Sequence, residues 1–342
     1  MISSKLKTSN RTSIFVCFKT FLSILFLAAA LVAQGQTNEQ RSIHVGLFYP
    51  ISNHGVQAAQ YTNVFSLNAI AGVSRAEKGL TIGGVTNVIK ENASGFQIAG
   101  VSNHLGGSSR GLLIAGVVNT YDSAAGFQVA GLTNIARNRV KGAQLAGLIN
   151  TAETVDGVQI AGLVNKAKKV KGVQLAGLVN IADSSDYPIG IINIIKNGEK
   201  SVGISIDETL TTLATFRSGG RVLYGILGVG YNFKNSDDKY ALEGGIGAHI
   251  GKGKRFRVNA EAVTVNLSDF KKGNYSRSAL RLMPAFKISP NLEIFAGPSV
   301  NFIQTNTPDG KSLTEHYIWD HTSGNNLKAL YVGGTGGLQW IW

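Results

Sequence analysis

Cysteine, proline and charged residues are all scarce in this chain of 342 residues, and each scarcity excludes a class of protein. The single cysteine, Cys17, excludes an intramolecular disulfide framework and a thiolate metal site. Only 6 prolines are present, which excludes a collagen or a proline-rich disordered chain. Charged residues make up 15% and hydrophobic residues 44%, which excludes intrinsic disorder, because disorder requires high charge and low hydrophobicity.

Long hydrophobic runs are also scarce, since the one such run lies near the N-terminus at residues 21–33. A lysine- and arginine-rich leader precedes it, and a small-x-small sequence at 33–35 follows it. This pattern predicts a secretory signal peptide over residues 1–35, with cleavage before Gln36. An uncleaved anchor helix is the alternative, but the run is short for a membrane span, which needs about 20 residues.

Glycine is abundant, at 42 residues, because the chain contains an internal repeat. A nine-residue unit, G-x-Q-x-A-G-L-x-N in its commonest form, recurs every 15 or 16 residues. The seven clear copies span residues 79–87, 95–103, 111–119, 126–134, 142–150, 157–165 and 172–180. Each copy is free of charge, and the charges lie in the connectors between copies. The unit therefore predicts a short apolar strand followed by a solvated turn.

Three positions of the repeat hold the same residue type in most copies. One is glycine: Gly84, Gly100, Gly116, Gly131, Gly147, Gly162 and Gly177. Another is asparagine: Asn87, Asn103, Asn119, Asn134, Asn150, Asn165 and Asn180. The third is glutamine in five copies: Gln97, Gln128, Gln144, Gln159 and Gln174. The glycines predict a bend or a close backbone approach, and the amides predict side-chain ladders; alternatively, the amides are turn and lumen residues of barrel strands.

Two all-β architectures accommodate such a repeat. In a membrane barrel each copy is one antiparallel strand, because nine residues approach the 9–11 that cross a bilayer. In a β-solenoid each copy belongs to one coil, and equivalent residues stack in parallel. Barrels have short turns at one end and longer loops at the other, whereas these connectors are nearly equal in length. We predict a β-solenoid-like tandem repeat over residues 79–198, with strands of one large meander barrel as the alternative.

The pattern changes at residue 199 to longer segments in which apolar and polar residues alternate. The last segment alternates up to Trp340 and Trp342, at the C-terminal end of the chain. Together with the export signal, this predicts a C-terminal antiparallel outer-membrane-type β-barrel of about eight strands over residues 199–342. Residues 36–78 are predicted to form N-terminal strands, and 44–50 and 65–74 are candidates for additional barrel strands.

Six charged residues fall on the polar faces of these alternating segments and are predicted to line the barrel interior. They are Glu243, Arg257, Glu261, Arg281, Lys287 and Glu293. A barrel of about eight strands fills its interior with side chains, so buried charges must pair. The set holds three acids and three bases, which is sufficient for mutual neutralisation.

The repeat units between residues 79 and 193 resemble a family of tandem surface-repeat proteins of Gram-negative bacteria. The C-terminal part resembles outer-membrane β-barrel proteins, whose last strand commonly ends in an aromatic residue that the assembly machinery reads. These resemblances imply an exported protein of the outer membrane or cell surface and no particular chemistry. We expect a barrel anchor that presents a rigid repeat surface and contacts lipid, the assembly machinery and a surface ligand of unknown kind. A narrow pore with the repeats as membrane strands is the alternative.

The sequence contains no complete catalytic or cofactor-binding motif. His316, Asp320 and His321 lie close together in the sequence, but a polar, aromatic loop is a simpler interpretation than a metal site. The glycine-rich segments 225–230 and 247–255 lack the following helix or the Walker spacing of nucleotide sites. The basic connectors lack interleaved aromatic residues that would stack on bases. We therefore predict no enzyme activity, no cofactor, no metal and no nucleic-acid partner.

Overall fold

The fold is all-β, as the sequence predicts, with 73% of residues in strands and 4% in helices. The computed structural model describes residues 40–220, 222–234, 240–251, 253, 255–270 and 274–342. The predicted signal peptide lies outside the described residues. A parallel β-solenoid of about nine turns is followed by a closed antiparallel barrel of eight strands with one extra strand. The chain divides into two compact units between Val129 and Ala130, which are described in turn.

The first unit contains mostly parallel strands, with Gln40–Phe48 and Ile51–Ser52 paired antiparallel, and one short 3₁₀ helix at Gly55–Gln60. Its strands are β1 (Gln40–Phe48), β2 (Ile51–Ser52), β3 (Thr62–Ser74), β4 (Ala76–Gly83), β5 (Thr86–Ile89), β6 (Ala93–Ala99), β7 (Ser102–Leu105), β8 (Ser109–Ala115), β9 (Val118–Tyr121) and β10 (Ala124–Ala130), which ends at the division. Strands β4, β6 and β8 form one parallel ladder, and β5, β7 and β9 form a second. Each coil therefore contributes one strand to each ladder.

The N-terminal strands belong to this parallel arrangement. β1 pairs in parallel with β3, and β3 pairs in parallel with both β4 and β5. The segments 44–50 and 65–74, considered above as additional barrel strands, thus lie in solenoid coils. Polar side chains of β3, including Asn63 and Asn68, point into the coil and are buried, as the repeat asparagines are. The solenoid begins by residue 40, well before the first clear copy of the repeat.

The second unit begins with further coils. Their strands are β11 (Thr133–Ala136), β12 (Arg139–Ala146), β13 (Ile149–Thr151), β14 (Thr154–Ala161), β15 (Val164–Lys166), β16 (Lys169–Ala176), β17 (Val179–Ala182), β18 (Ser184–Ile189) and β19 (Ile192–Ile195). The long strands β12, β14, β16 and β18 form one parallel ladder, and the short strands β11, β13, β15, β17 and β19 form the other. The nine-residue repeat is therefore two strands joined by a bend, and the prediction of one strand per copy is wrong.

Glycine allows the coils to stack closely at this bend. A Cβ atom at Gly162 would overlap the main-chain oxygen of Gly147, and one at Gly177 would overlap that of Gly162. The equivalent glycines of the first unit show the same close approach, from Gly100 to Gly84 and from Gly116 to Gly100. The predicted role of the glycine column, a bend with close backbone approach, is confirmed.

The barrel occupies the rest of the second unit. Its strands are β20 (Lys200–Asp207), β21 (Thr211–Gly219), β22 (Leu223–Asn232), β23 (Tyr240–Ile250), β24 (Phe256–Ser268), β25 (Tyr275–Lys287), β26 (Leu292–Thr305), the extra strand β27 (Trp319–Ser323) and β28 (Asn326–Ile341), with a short helix α1 (Pro308–Ser312) between β26 and β27. Neighbouring strands are antiparallel, and pairing of β20 with β28 closes the barrel. The predicted barrel is confirmed, and β27 pairs with β28 outside the closed ring.

Candidate functional site

The centre of the barrel is filled by a charged network whose five residues come from five consecutive strands, β21 to β25. Arg217 Nε donates a 2.8 Å hydrogen bond to Glu261, which also accepts one of 2.9 Å from the Tyr224 hydroxyl. Arg281 Nη1 donates to Glu243 Oε1 at 3.1 Å and lies 3.8 Å from Glu261. All five side chains are buried. The interior at this level is therefore occupied by paired charges.

A second network lies at the barrel end where the solenoid joins β20. Arg257 donates to Glu199 at 3.0 Å through Nη1 and to Glu293 at 3.1 Å through Nη2. Gln339 Nε2 donates a further 2.6 Å bond to Glu293, whose side chain is fully buried. Lys287 lies 3.9 Å from Glu199 and is about a quarter exposed. This end of the barrel is filled as well.

A third network fills the opposite end. Arg277 pairs with Asp207, and both side chains are buried. Glu208 accepts 2.9 Å hydrogen bonds from the Tyr331 hydroxyl and from the main-chain N–H of Gly334. The three networks together place buried ion pairs along the length of the barrel.

Five of the six charges predicted for the interior are buried there, namely Glu243, Arg257, Glu261, Arg281 and Glu293. Lys287 follows the same alternation but lies at the rim. Five other charged residues of the three networks were not predicted from the sequence, namely Glu199, Asp207, Glu208, Arg217 and Arg277. Arg277 could have been found, because it shares the alternation of Arg281 along β25.

The outward face of the barrel is apolar and exposed. Leu280 is 66% exposed and Val229 59%, whereas Arg281 and Met283 on β25 point inward and are buried. Aromatic residues lie outward near both ends. At the end near residue 199 they include Phe216 and Trp342, with ring centroids 6.4 Å apart. At the other end they include Tyr231 and Tyr240, with centroids 5.9 Å apart.

The repeat asparagines form ladders inside the coils, as predicted. In the first unit Asn87 donates to Asn103, and Asn103 to Asn119, each at 2.9 Å. In the second unit the ladder runs from Asn134 through Asn150, Asn165 and Asn180 to Asn193, at 2.9–3.1 Å. Each side chain in this chain of bonds is fully buried. The asparagine side chains therefore join successive coils through buried hydrogen bonds.

A glutamine ladder runs beside the asparagines with the opposite polarity. Gln159 Nε2 donates to Gln144 Oε1 at 2.7 Å, and Gln174 donates to Gln159 at 2.9 Å. The glutamine amides thus donate toward the N-terminal coil, whereas the asparagine amides donate toward the C-terminal coil. These buried amides are part of the structural framework, and their positions indicate no ligand site.

The end of the asparagine ladder contacts the barrel wall. The Asn193 main-chain N–H donates to the Ser218 hydroxyl at 2.9 Å, and its side-chain amide donates to the Ser218 carbonyl at 3.0 Å. Ser218 pairs with Gly225 on the neighbouring strand. A Cβ atom at Gly225 would overlap the main-chain oxygens of Gly190 and Ile191. Small residues on the wall therefore allow the last coil to dock closely.

The described residues contain no group of three or more His, Cys, Asp or Glu side chains placed to hold a metal ion. The structure places His316 and His321 in an exposed region around β27, where His321 stacks on Trp319. In the part of the chain that the structure describes, no helix is both long and apolar enough to cross a membrane.

No protein-family model, no curated protein and no solved structure matches the chain. The resemblance of the repeats to tandem surface-repeat proteins therefore stays a prediction.

Proposed function

We propose that this chain is a non-enzymatic outer-membrane protein whose barrel is a closed transmembrane anchor for a rigid β-solenoid. The observation that carries the proposal is the reversed polarity of the barrel. Arg217, Glu261 and Arg281 are buried inside, while Leu280 and Val229 face outward and are largely exposed. Such a wall suits hydrocarbon surroundings, because an exposed apolar band of this extent is rare on soluble monomers.

The dimensions of the barrel support the same proposal. Strands β22 to β26 are 10–14 residues long, and about 9–11 residues cross a bilayer when tilted. Outward aromatic residues near both ends, such as Trp342 and Tyr231, match the interfacial girdles of membrane barrels.

The filled interior favours an anchor over a pore. Arginine and glutamate side chains pair at three levels of the barrel, which is the expected state of an eight-stranded interior. The repeats pair in parallel in the solenoid, so they do not enlarge the barrel as membrane strands would. The filled interior and the parallel pairing of the repeats therefore both argue against the pore alternative.

The connections of the barrel suggest which side carries the repeats. At the end where the solenoid joins β20, the connections at 220–222, 251–255 and 288–291 are all short. At the other end, the connection at 208–210 is also short, but those at 233–239, 269–274 and 306–325 are longer, and the last of them contains α1 and β27. Membrane barrels have short periplasmic turns and long extracellular loops. We therefore place the solenoid on the periplasmic side, in contrast to the cell-surface display expected from the sequence.

Fractionation and gel mobility test the proposal. The full chain should sediment with outer membranes, stay there in high salt, and migrate differently on gels before and after boiling, because a closed barrel has no free edge from which to unfold. A Glu261→Ala variant is a useful control. Because its barrel is less stable, the change in gel mobility should occur at a lower temperature of heating. Release of the protein by salt alone would contradict the proposal.

A further inference from the structure

The coils of the second unit present a continuous apolar ridge to the outside. It follows the bend of each coil and is formed by Leu148, Ile160, Leu163, Leu175, Leu178 and Ile191, which are 38–46% exposed. Main-chain bonds stack Leu163 on Leu148 and Leu178 on Leu163. Taken by itself, the first unit has exposed apolar residues at equivalent positions, such as Ile98 and Val101. An exposed apolar strip repeated over several coils indicates a binding surface.

Basic residues lie beside this apolar ridge on the same outer face. Arg139, Lys141, Lys169 and Lys171 are exposed at the starts of the long strands, where the connectors enter. The border also contains two exposed acids, since Asp156 lies in register between Lys141 and Lys171 and Asp186 accepts a hydrogen bond from the main-chain N–H of Gly172, so the bases outnumber the acids by four to two. Lys171 precedes Leu175 by four residues, which is about 13 Å along an extended strand. A surface with an apolar strip and a basic border is suited to a bilayer interface with anionic headgroups.

The junction with the barrel sets the direction of the coils. Main-chain N–H and C=O groups of stacked parallel strands point along the solenoid axis, because they form the ladders between coils. In the last coil, the N–H of Asn193 and the carbonyls of Gly190 and Ile191 face Ser218 and Gly225. Ser218 and Gly225 belong to the outer surface of the wall, since Arg217 and Tyr224 beside them point inward. The coils of the second unit thus extend sideways from the barrel.

The same junction shows which edge of the coils faces the middle of the barrel. A Cβ atom at Gly220, in the turn between β21 and β22, would lie 3.2 Å from the oxygen of Ser185, at the connector side of the last coil. Gly225, farther along β22 toward the barrel centre, approaches the Gly190 and Ile191 bend instead. The apolar ridge is therefore on the side toward the barrel centre, and the basic residues are on the side of the turn.

We propose that the apolar ridge is inserted in the periplasmic leaflet of the bilayer that the barrel spans, with the flanking Lys and Arg side chains among anionic headgroups. This inference rests on the proposed membrane anchoring. The sideways axis places the ridge along the membrane plane, and its contact with the outer wall makes it continuous with the lipid-facing surface. The coils of the second unit then act as a β-sheet support lying in the inner surface of the outer membrane.

Single-cysteine labelling of the full mature chain tests the proposal, in vesicles of phosphatidylethanolamine and phosphatidylglycerol. Leu163→Cys reports on the ridge, Lys168→Cys on the exposed connector, and Leu280→Cys on the barrel wall, each carrying an environment-sensitive fluorophore. A lipid-borne spin label should quench the fluorophore at 163 and 280 to a similar extent and leave that at 168 unchanged. Aqueous iodide should quench only the fluorophore at 168.

The label at position 280 on the barrel wall distinguishes failure of the ridge proposal from failure of the proposed membrane anchoring. Lipid quenching at 280 without quenching at 163 would overturn the ridge proposal and leave the membrane anchor intact. Protection at 163 from both the lipid quencher and iodide would mean that protein, a partner or a second copy, covers the ridge, which also overturns the proposal. No lipid quenching at 280 would contradict the proposed function itself.

Discussion

Asn193 donates its side-chain amide to the main-chain carbonyl of Ser218 at 3.0 Å, so the asparagine ladder of the solenoid ends on the barrel wall. Its main-chain N–H is also satisfied by the Ser218 hydroxyl. An exposed edge of a parallel sheet offers unpaired N–H and C=O groups to other chains. The wall covers part of that edge, so the barrel both anchors the coils and protects their C-terminal end.

The ladder predicts a large cost for losing one asparagine in its middle. Asn165 donates to the Leu175 carbonyl at 2.8 Å and to Asn180 at 3.1 Å, and it accepts from Asn150 at 3.1 Å. Asn165→Ala leaves these buried groups unpaired and should lower the free energy of unfolding by about 2–3 kcal/mol. The neighbouring exposed change Lys166→Ala should alter it by less than about 0.5 kcal/mol. Urea unfolding of the detergent-solubilised chain measures the change in unfolding free energy for each variant. Equal changes in the two variants would contradict a stabilising role for the asparagine ladder.

The interior pairs predict strong coupling between Glu243 and Arg281. Glu243→Ala leaves the buried Arg281 charge without its hydrogen-bonded partner and should destabilise the barrel by about 3–5 kcal/mol. The double change Glu243→Met with Arg281→Met removes both charges and should cost much less, because apolar replacements of a buried pair are often neutral. The temperature at which gel mobility changes reports the difference. Additive losses in the double variant would show that the interior is wet.

The first unit should lose stability as the pH falls. His44 is buried and stacks on His54 with ring centroids 4.8 Å apart. Burial, assisted by the nearby His54, lowers the pKa of His44 from 6.5 to about 4. The unfolded chain therefore binds more protons than the folded chain between these values, so the contribution is complete above pH 6.5 and is lost as the pH falls toward 4.

Hydrogen exchange of residues 40–60 over this pH range measures the effect. His44→Phe keeps the stacked ring and should make the protection less dependent on pH. Burial raises the pKa of Glu77, which acts with the opposite sign but is present in both proteins. The comparison therefore isolates His44, and identical pH profiles would contradict the assignment.

The repeat and the alternating segments made much of this fold predictable. The stacking of Asn150 on Asn165 follows from identical residues at a fixed spacing, and the burial of Arg281 follows from strand alternation. The division of each repeat into two strands was missed, although Gly147 was predicted to mark a bend, because no charge or proline separates Ala146 from Ile149. The pairing of Arg217 with Glu261 depends on barrel closure, which joins residues far apart in the chain and which a single sequence does not specify.

The central claim is that the barrel spans a membrane with a closed interior, and conductance measured on verified proteoliposomes tests it most directly. Incorporation of the protein is first established by flotation and by the mobility change on boiling. An absence of conductance then cannot be due to an absence of protein from the bilayer. After fusion to a planar bilayer, the full chain should give no steady conductance, because paired charges such as Arg217 with Glu261 and Arg277 with Asp207 fill the interior. A large, steady conductance would contradict the account and favour a pore.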